Sequence, residues 1–99
     1  MGRMASIKSE QADGEAEVGA KASGSQTLLR GLDVIDALID GSLPLAELSE
    51  KLELTRSTTH RLASALVDRR ILSFRPREGY SLGPKLLELG HAASQQMHL

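Results

Sequence analysis

The feature that most constrains the fold of this 99-residue chain is a series of short aliphatic blocks at helical spacing, separated by strong turn signals. The first block has leucine or isoleucine at i, i+4, i+7 and i+11, positions that line one face of a helix. Ser25 is placed to cap this helix and Gly41 to end it, so the sequence predicts a helix over about residues 26–40. The predicted buried face consists of Leu28, Leu32, Ile35 and Ile39.

A second block begins at Pro44, whose fixed φ suits the first turn of a helix. Its charged residues, among them Lys51, are expected to face water. The turn "LELT" follows, and Thr55 is positioned to cap a third helix because its hydroxyl can accept a backbone N–H of the first turn. The residues that the second helix is expected to bury are Leu45, Leu48 and Leu52.

The third predicted helix has two chemically distinct faces. Its polar side chains are crowded into the N-terminal half, whereas small and aliphatic residues recur along the other side. The side expected to pack consists of Thr59, Leu62, Ala63, Leu66 and Val67. The side left exposed consists of Arg56, Ser57, Thr58, His60, Arg61 and Ser64.

Two short runs with β-branched or aromatic residues, "ILSF" and "GYSL", follow this helix and are separated by "RPRE". They predict a β-hairpin with Pro76 confined to the loop and Gly79 at the return. Phe74 and Tyr80 are the only aromatic residues of the chain, and we expect both to pack in the hairpin core. A last helix is predicted to start at Pro84. The residues that it is expected to bury are Leu86, Leu87 and Leu89.

The predicted fold class is mainly α with a small two-stranded β-wing, a winged helix-turn-helix followed by a C-terminal linker helix. Residues 1–24 are rich in Gly, Ala, Ser and Glu and have no apolar period, which predicts a disordered tail. The expected organisation is therefore a tail (1–24), a winged helix-turn-helix domain (25–83) and a linker helix (84–99).

Charge is unevenly distributed along the chain, although the net charge is only −1. Residues 25–55 hold two basic and six acidic side chains, whereas residues 56–85 hold seven basic and two acidic ones. The segment that contains the third helix and the hairpin is therefore strongly basic. Such local asymmetry says more about binding partners than the total charge does.

A basic second helix in a helix-turn-helix favours binding to duplex DNA. This motif places the N-terminal residues of its second helix against base edges in the major groove. Arginine can pair with guanine there, and short hydroxyl side chains can bond to bases or phosphates. The candidate DNA-binding residues are Arg56, Ser57, Thr58, His60, Arg61 and Ser64 on a recognition helix over about 56–69, with Arg75 and Arg77 in the wing.

The alternative is a winged helix that docks an acidic protein partner, because fold alone does not determine function. The shortage of apolar anchors on the exposed helix face counts against this alternative. Arg69 and Arg70 are better explained by the helix dipole, while Lys85 suits a phosphate contact and a solubilising role equally. Single-stranded nucleic acid is disfavoured, because hairpin packing already accounts for both aromatic rings.

The residue types give little support to catalysis, so no enzyme, metal or cofactor is expected. The absence of cysteine excludes disulfides and zinc–thiolate sites, and the histidines lack a ligand-like spacing. The chain has no nucleotide-binding or nucleophile-elbow motif. It also has neither a membrane-length apolar run nor a signal-peptide core, so we expect a soluble intracellular protein.

Four segments, "LRGLDVIDAL", "LAELSEKLEL", "RSTTHRLASAL" and "GYSLGPKLLELG", occur in an order and spacing that resemble the N-terminal winged-helix domain of the IclR-type transcriptional regulators. The resemblance covers about residues 26–90. It implies a bacterial, cytoplasmic repressor or activator that binds operator DNA as a homodimer or a dimer of dimers. By motif position, the residues implied to face DNA are Arg56, Ser57, Thr58, His60 and Arg61, with Arg77 as a wing contact.

The resemblance also implies that helices over about 26–40 and 84–96 contribute to dimer contacts. A small-molecule effector would bind only a larger C-terminal domain that is missing from this chain.

Three positions depart from the family pattern. The family often has Gly where Glu53 stands and Pro where Thr55 stands, so we expect a turn at Glu53 that does not need a positive φ. The family also favours Gly near the junction of helix and wing, where this chain has Arg70. Arg70 is expected to tighten a phosphate contact or to alter the angle of the wing.

Overall fold

The computed structural model describes residues 18–97, with side chains from Ser25 onward. This part of the chain folds into four helices and one two-stranded antiparallel sheet, which confirms the predicted winged helix-turn-helix with a linker helix. The elements are α1 (Val18–Ala37), α2 (Leu45–Leu52), α3 (Arg56–Asp68), β1 (Leu72–Arg75), β2 (Gly79–Leu82) and α4 (Pro84–Met97).

Helix α1 both begins and ends earlier than the sequence predicts. It begins at Val18, so Ser25 lies inside the helix and does not cap it. Its last residue is Ala37, and the chain then turns towards Gly41, whose φ of 141° favours glycine. Residues 1–17 of the predicted tail lie outside the described residues.

The apolar face that α1 and the turn after it bury is not the one that the spacing predicts. Val34, Ala37 and Leu38 are at most 7% exposed, and of the predicted set only Ile35 packs against them. The predicted and the observed apolar residues both recur at helical spacing. Packing against α2 and α3 determines which of the two sets is buried, and spacing alone does not reveal that packing. The predicted residues that are exposed instead are Leu28 (65%), Leu32 (48%) and Ile39 (72%).

The core continues into α2, α3 and the hairpin. Leu48, Ala63 and Leu72 are almost completely buried, and so is Thr59 on α3. The hydroxyl of Thr59 donates to the carbonyl oxygen of Thr55 at 2.8 Å, so this buried polar group is satisfied. The predicted packing side of α3 is thereby confirmed, since its remaining members pack partly buried against the same core.

The sequence predicts that Lys51 faces water, but its side chain also links α2 to the end of α1. Its ammonium Nζ donates to the carbonyl oxygen of Ala37 at 2.8 Å. That carbonyl belongs to the last residue of α1, where the helix leaves acceptors unpaired and where its dipole favours a cation. Lys51 therefore caps a neighbouring helix.

Within residues 18–97, two non-glycine residues adopt the left-handed conformation, and they are the two positions where the sequence departs from the family's glycines. Glu53 has a φ of 58° and Arg70 a φ of 65°. The expectation that the turn at Glu53 avoids a positive φ is therefore wrong. The left-handed conformation at Glu53 ends α2, because it turns the chain so that the next backbone N–H, that of Leu54, bonds back to the carbonyl oxygen of Ser49 at 3.0 Å.

The wing is an antiparallel hairpin in which Phe74 lies opposite Tyr80. Leu43, from the segment before α2, adds an isolated bridge: it exchanges two backbone hydrogen bonds of 2.8 and 2.9 Å with Tyr80. A Cβ at Gly79 would lie 2.2 Å from the carbonyl oxygen of Leu43. Glycine at residue 79 is thus required for this close approach as well as for its φ of 91°.

Helix α4 begins at Pro84 as predicted but buries little of its own surface. Leu86 is half-buried, whereas Leu87 and Leu89 are 80 and 47% exposed, so the predicted burial of these two residues is wrong. The hydrogen bonds and the ion pair that join this helix to the rest of the domain come from its first turns. Within the described residues, no other element covers Leu87 and Leu89.

We expect Glu53→Gly to stabilise the domain by up to about 1 kcal/mol. The left-handed conformation costs a side-chain-bearing residue roughly 1–2 kcal/mol, which outweighs the entropy that glycine adds to the unfolded chain. The Glu53 side chain makes no hydrogen bond or ion pair within the described residues, so nothing is lost with it. Urea unfolding monitored by circular dichroism measures the change.

The matched control is Glu50→Gly, one turn earlier in α2, which should destabilise by about 1 kcal/mol because it lies within the helix. A Glu53→Gly variant that loses stability as the control does would contradict the strain at this position.

Candidate nucleic-acid interface

Helix α3 presents the predicted polar residues on its outer side. Arg56, Ser57, His60 and Arg61 are exposed, while Thr58 and Ser64 are half-buried. Ser57, Arg61 and Ser64 follow at i, i+4 and i+7 and so form one stripe, which faces outward at Ser57 and Arg61 and towards the wing at Ser64. Thr58 stands apart from this stripe, since it lies about 100° around the helix from Ser57.

The N-terminus of α3 has the features of an anion-binding site. The Thr55 hydroxyl accepts the backbone N–H of Thr58 at 3.2 Å, which confirms the predicted cap. The first turn contains no acidic side chain. The helix dipole and the remaining free N–H groups of this turn therefore add to the charge of Arg56 and Arg61.

His60 and Ser64 form a pair on the side of α3 that faces the wing. The Ser64 hydroxyl lies 3.4 Å from the imidazole Nε2 of His60, one helical turn away. This contact holds the imidazole along the helix surface and leaves its other nitrogen directed away from Ser64.

The wing carries its two arginines at the tip. Arg75 ends β1, and its guanidinium lies 3.9 Å from the carboxylate of Glu78. Both side chains are largely exposed, so this pair holds Arg75 only weakly. Arg77 is exposed and has no ion pair within the described residues.

The Arg70 side chain contacts α4 and does not lie on the outer face of α3. Its guanidinium donates to the Glu88 carboxylate at 2.7 Å, and Lys85 approaches the other carboxylate oxygen at 3.6 Å. The hydrogen bond from Arg70, its positive charge and the nearby Lys85 hold the pKa of Glu88 below its ordinary value. Lys85 and Arg70 thus belong to a charge cluster at the root of the linker helix.

A concave surface of about 360 Å³ lies between α3 and the wing, and we call it the wing notch. Phe74 borders it and is 49% exposed, so the expectation that core packing accounts for both aromatic residues is wrong for Phe74. Tyr80, by contrast, is buried, with its ring centroid 4.8 Å from that of Phe74. The residues lining the notch are Leu45, His60, Ser64, Val67, Asp68, Phe74 and Tyr80.

Neither a metal centre nor a membrane span is found among residues 18–97. No three His, Asp or Glu side chains in this range come together as metal ligands. None of the helices there combines the length and the apolar character that crossing a membrane requires.

Known proteins resemble this chain in sequence and in fold. A family profile described as the IclR helix-turn-helix domain matches residues 27–76. The DNA-binding transcriptional repressor YiaJ of Escherichia coli K12 is 36% identical over 80 residues, covering 78% of this chain and 28% of the repressor.

Solved structures agree with this match. The HmgR structure from Pseudomonas aeruginosa has 28% identity and a TM-score of 0.67, covering 74% of this chain and 32% of HmgR. An IclR transcriptional regulator from Alicyclobacillus acidocaldarius has 27% identity and a TM-score of 0.64, covering 70% and 29%. The chain thus spans about a third or less of the length of these relatives. The expected winged helix and its resemblance are confirmed, and the chain belongs to the IclR family of transcriptional regulators through its helix-turn-helix DNA-binding domain.

Proposed function

We propose that this domain binds an operator in duplex DNA sequence-specifically, with α3 in the major groove and the wing against the adjacent minor groove or backbone. The observation that carries the proposal is the outer face of the first two turns of α3. That face is exposed, acid-free and capped by Thr55, and it combines arginine with short hydroxyl groups. Such side chains read base edges and hold phosphates.

The individual roles follow from chemistry and position. Arg61, on the outward stripe, suits a bidentate contact to guanine, while Arg56 and Ser57 at the helix start suit phosphate or base contacts. His60 and Ser64 act together on the wing side of the helix. Thr58 is half-buried and its backbone N–H is already accepted by the Thr55 hydroxyl, so its own hydroxyl is the group left for a DNA contact.

The wing contributes positive charge outside the major groove. Arg77 at the loop is free to reach the minor groove, and Arg75 can exchange its long contact with Glu78 for a phosphate. The regulator would then act at the chromosome in the bacterial cytoplasm. Effector binding would belong to the additional length that its relatives possess.

We also propose that the protein binds DNA as a homodimer that uses an apolar groove along α1. The groove encloses about 280 Å³ between α1 and α3. Leu28 and Leu32 line it and are largely exposed, and an exposed apolar face of this kind marks an association surface. A two-fold contact here would present two α3 helices to half-sites one DNA turn, about 34 Å, apart. Residues that line the groove include Leu28, Leu32, Ile35, Leu62, Leu66 and Ile71.

The alternative of docking an acidic protein through α3 has less support. The exposed apolar residues of α1 and α4 lie outside the outer face of α3, which therefore lacks the anchors that hold protein interfaces together. Failure to bind any duplex at low salt would favour this alternative over the DNA proposal.

We expect Arg61→Ala to weaken binding to the cognate operator by roughly 1–3 kcal/mol and to relax specificity at one base pair. Fluorescence anisotropy with the operator and with single-base variants, over a series of salt concentrations, measures both effects. A loss that is equal for all sequences, with the salt slope reduced by about one unit, would instead assign Arg61 to a phosphate.

Arg69→Ala is the matched control, since Arg69 is an exposed arginine just after the other end of the same helix. It should change operator affinity far less than Arg61→Ala. Equal losses in the two variants would contradict a recognition role confined to the first turns.

We expect Leu28→Glu to shift the protein from dimer to monomer in sedimentation-velocity experiments, because it places a charge in the apolar groove. Ile39→Glu is the control: Ile39 is 72% exposed and does not line the groove, so its variant should remain dimeric. A dimeric Leu28→Glu protein would exclude this groove as the interface.

A further inference from the structure

The wing notch lies between the two elements that are proposed to contact DNA. One wall is α3, which contributes His60 and Ser64. The opposite wall is the wing, which contributes the half-exposed ring of Phe74. A helix in the major groove and a wing at the neighbouring minor groove are separated by one DNA strand. That strand must therefore cross the space between these walls.

We infer that the wing notch receives this strand, with a deoxyribose of its backbone packed against the ring of Phe74. The inference rests on the proposed function and extends it to a nonionic contact. Phe74 and Val67 offer apolar surface to the carbon face of a sugar, while the hydroxyl of Ser64 and the imidazole of His60 offer polar groups to the adjoining phosphate.

The exposure of Phe74 distinguishes it from its partner in the hairpin. Tyr80 is 4% exposed and pairs its backbone with Leu43, so it belongs to the core. Phe74, opposite it on β1, keeps 49% of its surface in solvent although the rings are in contact. An aromatic ring exposed beside polar contact residues can gain free energy by covering apolar surface of a partner.

Asp68 determines which part of the strand each end of the notch can accept. It lies eight residues after His60, about 12 Å further along α3, and has no ion pair within the described residues. Its carboxylate repels phosphate, so the phosphates are placed towards His60 and Ser64. The charges of the rim therefore orient the strand across the notch.

The sequence allows a spectroscopic test without any mutation, because Phe74 is its only phenylalanine and Tyr80 its only tyrosine. Biosynthetic 4-fluorophenylalanine reports Phe74 alone in ¹⁹F NMR. On adding a random-sequence DNA duplex at low salt, we expect its resonance to shift, its H₂O/D₂O solvent shift to fall, and ¹⁹F–¹H NOEs to deoxyribose protons to appear.

An unchanged Phe74 resonance with bound DNA would overturn the inference, as would NOEs to base protons alone. A matched sample with 3-fluorotyrosine at Tyr80 should keep its solvent shift nearly constant, because that ring is already buried. A wild-type protein that binds no duplex would overturn the proposed function itself, which separates the two failures.

The salt dependence of DNA affinity in Phe74 variants provides a second test. We expect Phe74→Ala to weaken binding to random and cognate duplexes alike by about three- to tenfold, as loss of a small apolar contact would. The slope of log affinity against log salt should stay unchanged, because no phosphate contact is removed. Phe74→Leu, which keeps apolar volume, should recover most of the affinity, and thermal melting of both variants checks the fold.

Wild-type affinity in a folded Phe74→Ala variant would overturn the sugar contact. So would a loss accompanied by a slope lower by about one unit, since it would show that the residue acts by positioning a phosphate ligand.

Discussion

The paired backbone hydrogen bonds between Leu43 and Tyr80 join the wing to the helical body, and the arrangement of the binding surface depends on them. A two-stranded hairpin is only marginally stable alone in water. The bridge gives β2 a second backbone partner besides β1, and Tyr80, the residue that it holds, is buried. Gly79 permits the approach, because any Cβ there would collide with the Leu43 carbonyl. The position of Phe74 and of the arginines beyond it relative to α3 follows from this junction.

The position of α3 depends on a second satisfied contact in the core. Thr59 is completely buried, and its hydroxyl bonds back to Thr55, whose own hydroxyl caps the helix start. Thr55, which ends the turn, and Thr59, which anchors the helix in the core, are therefore hydrogen-bonded to each other. This link fixes the first two turns of α3, where the proposed base contacts lie, to the least exposed part of the domain.

Sequence reasoning succeeded where local chemistry decides the structure and failed where packing does. The cap at Thr55 and the two faces of α3 were predicted correctly, because a hydroxyl at a helix start and a strong polar asymmetry each have one favourable solution. In α1 and the turn that follows it, two overlapping apolar faces had similar spacing, and only packing against the neighbouring helices selected Val34 and Leu38.

The remaining errors have equally physical causes. The positive φ at Glu53 follows from the turn that ends α2. This turn accepts glutamate although a residue with a side chain disfavours the left-handed conformation. The exposure of Phe74 could not be predicted from an aromatic residue in a short strand, since such residues usually pack. The candidate DNA contacts of the site were predicted from residue type and position; the notch beside them needed the relative placement of α3 and the wing.

The first turn of α4 is fixed by backbone hydrogen bonds to the residues that directly follow α3. The Lys85 N–H bonds to the Arg70 carbonyl, the Gly83 N–H bonds to the Ile71 carbonyl, and the Arg70 guanidinium holds Glu88 one turn further on. A Cβ at Gly83 would lie 2.5 Å from the Arg70 carbonyl oxygen, so no side chain separates the two backbones. With its 14 residues, α4 is about 21 Å long, and a tilt of roughly 10° at its root moves its far end by about 4 Å. Conversely, a displacement imposed on that far end is converted into rotation at the residues that directly follow α3.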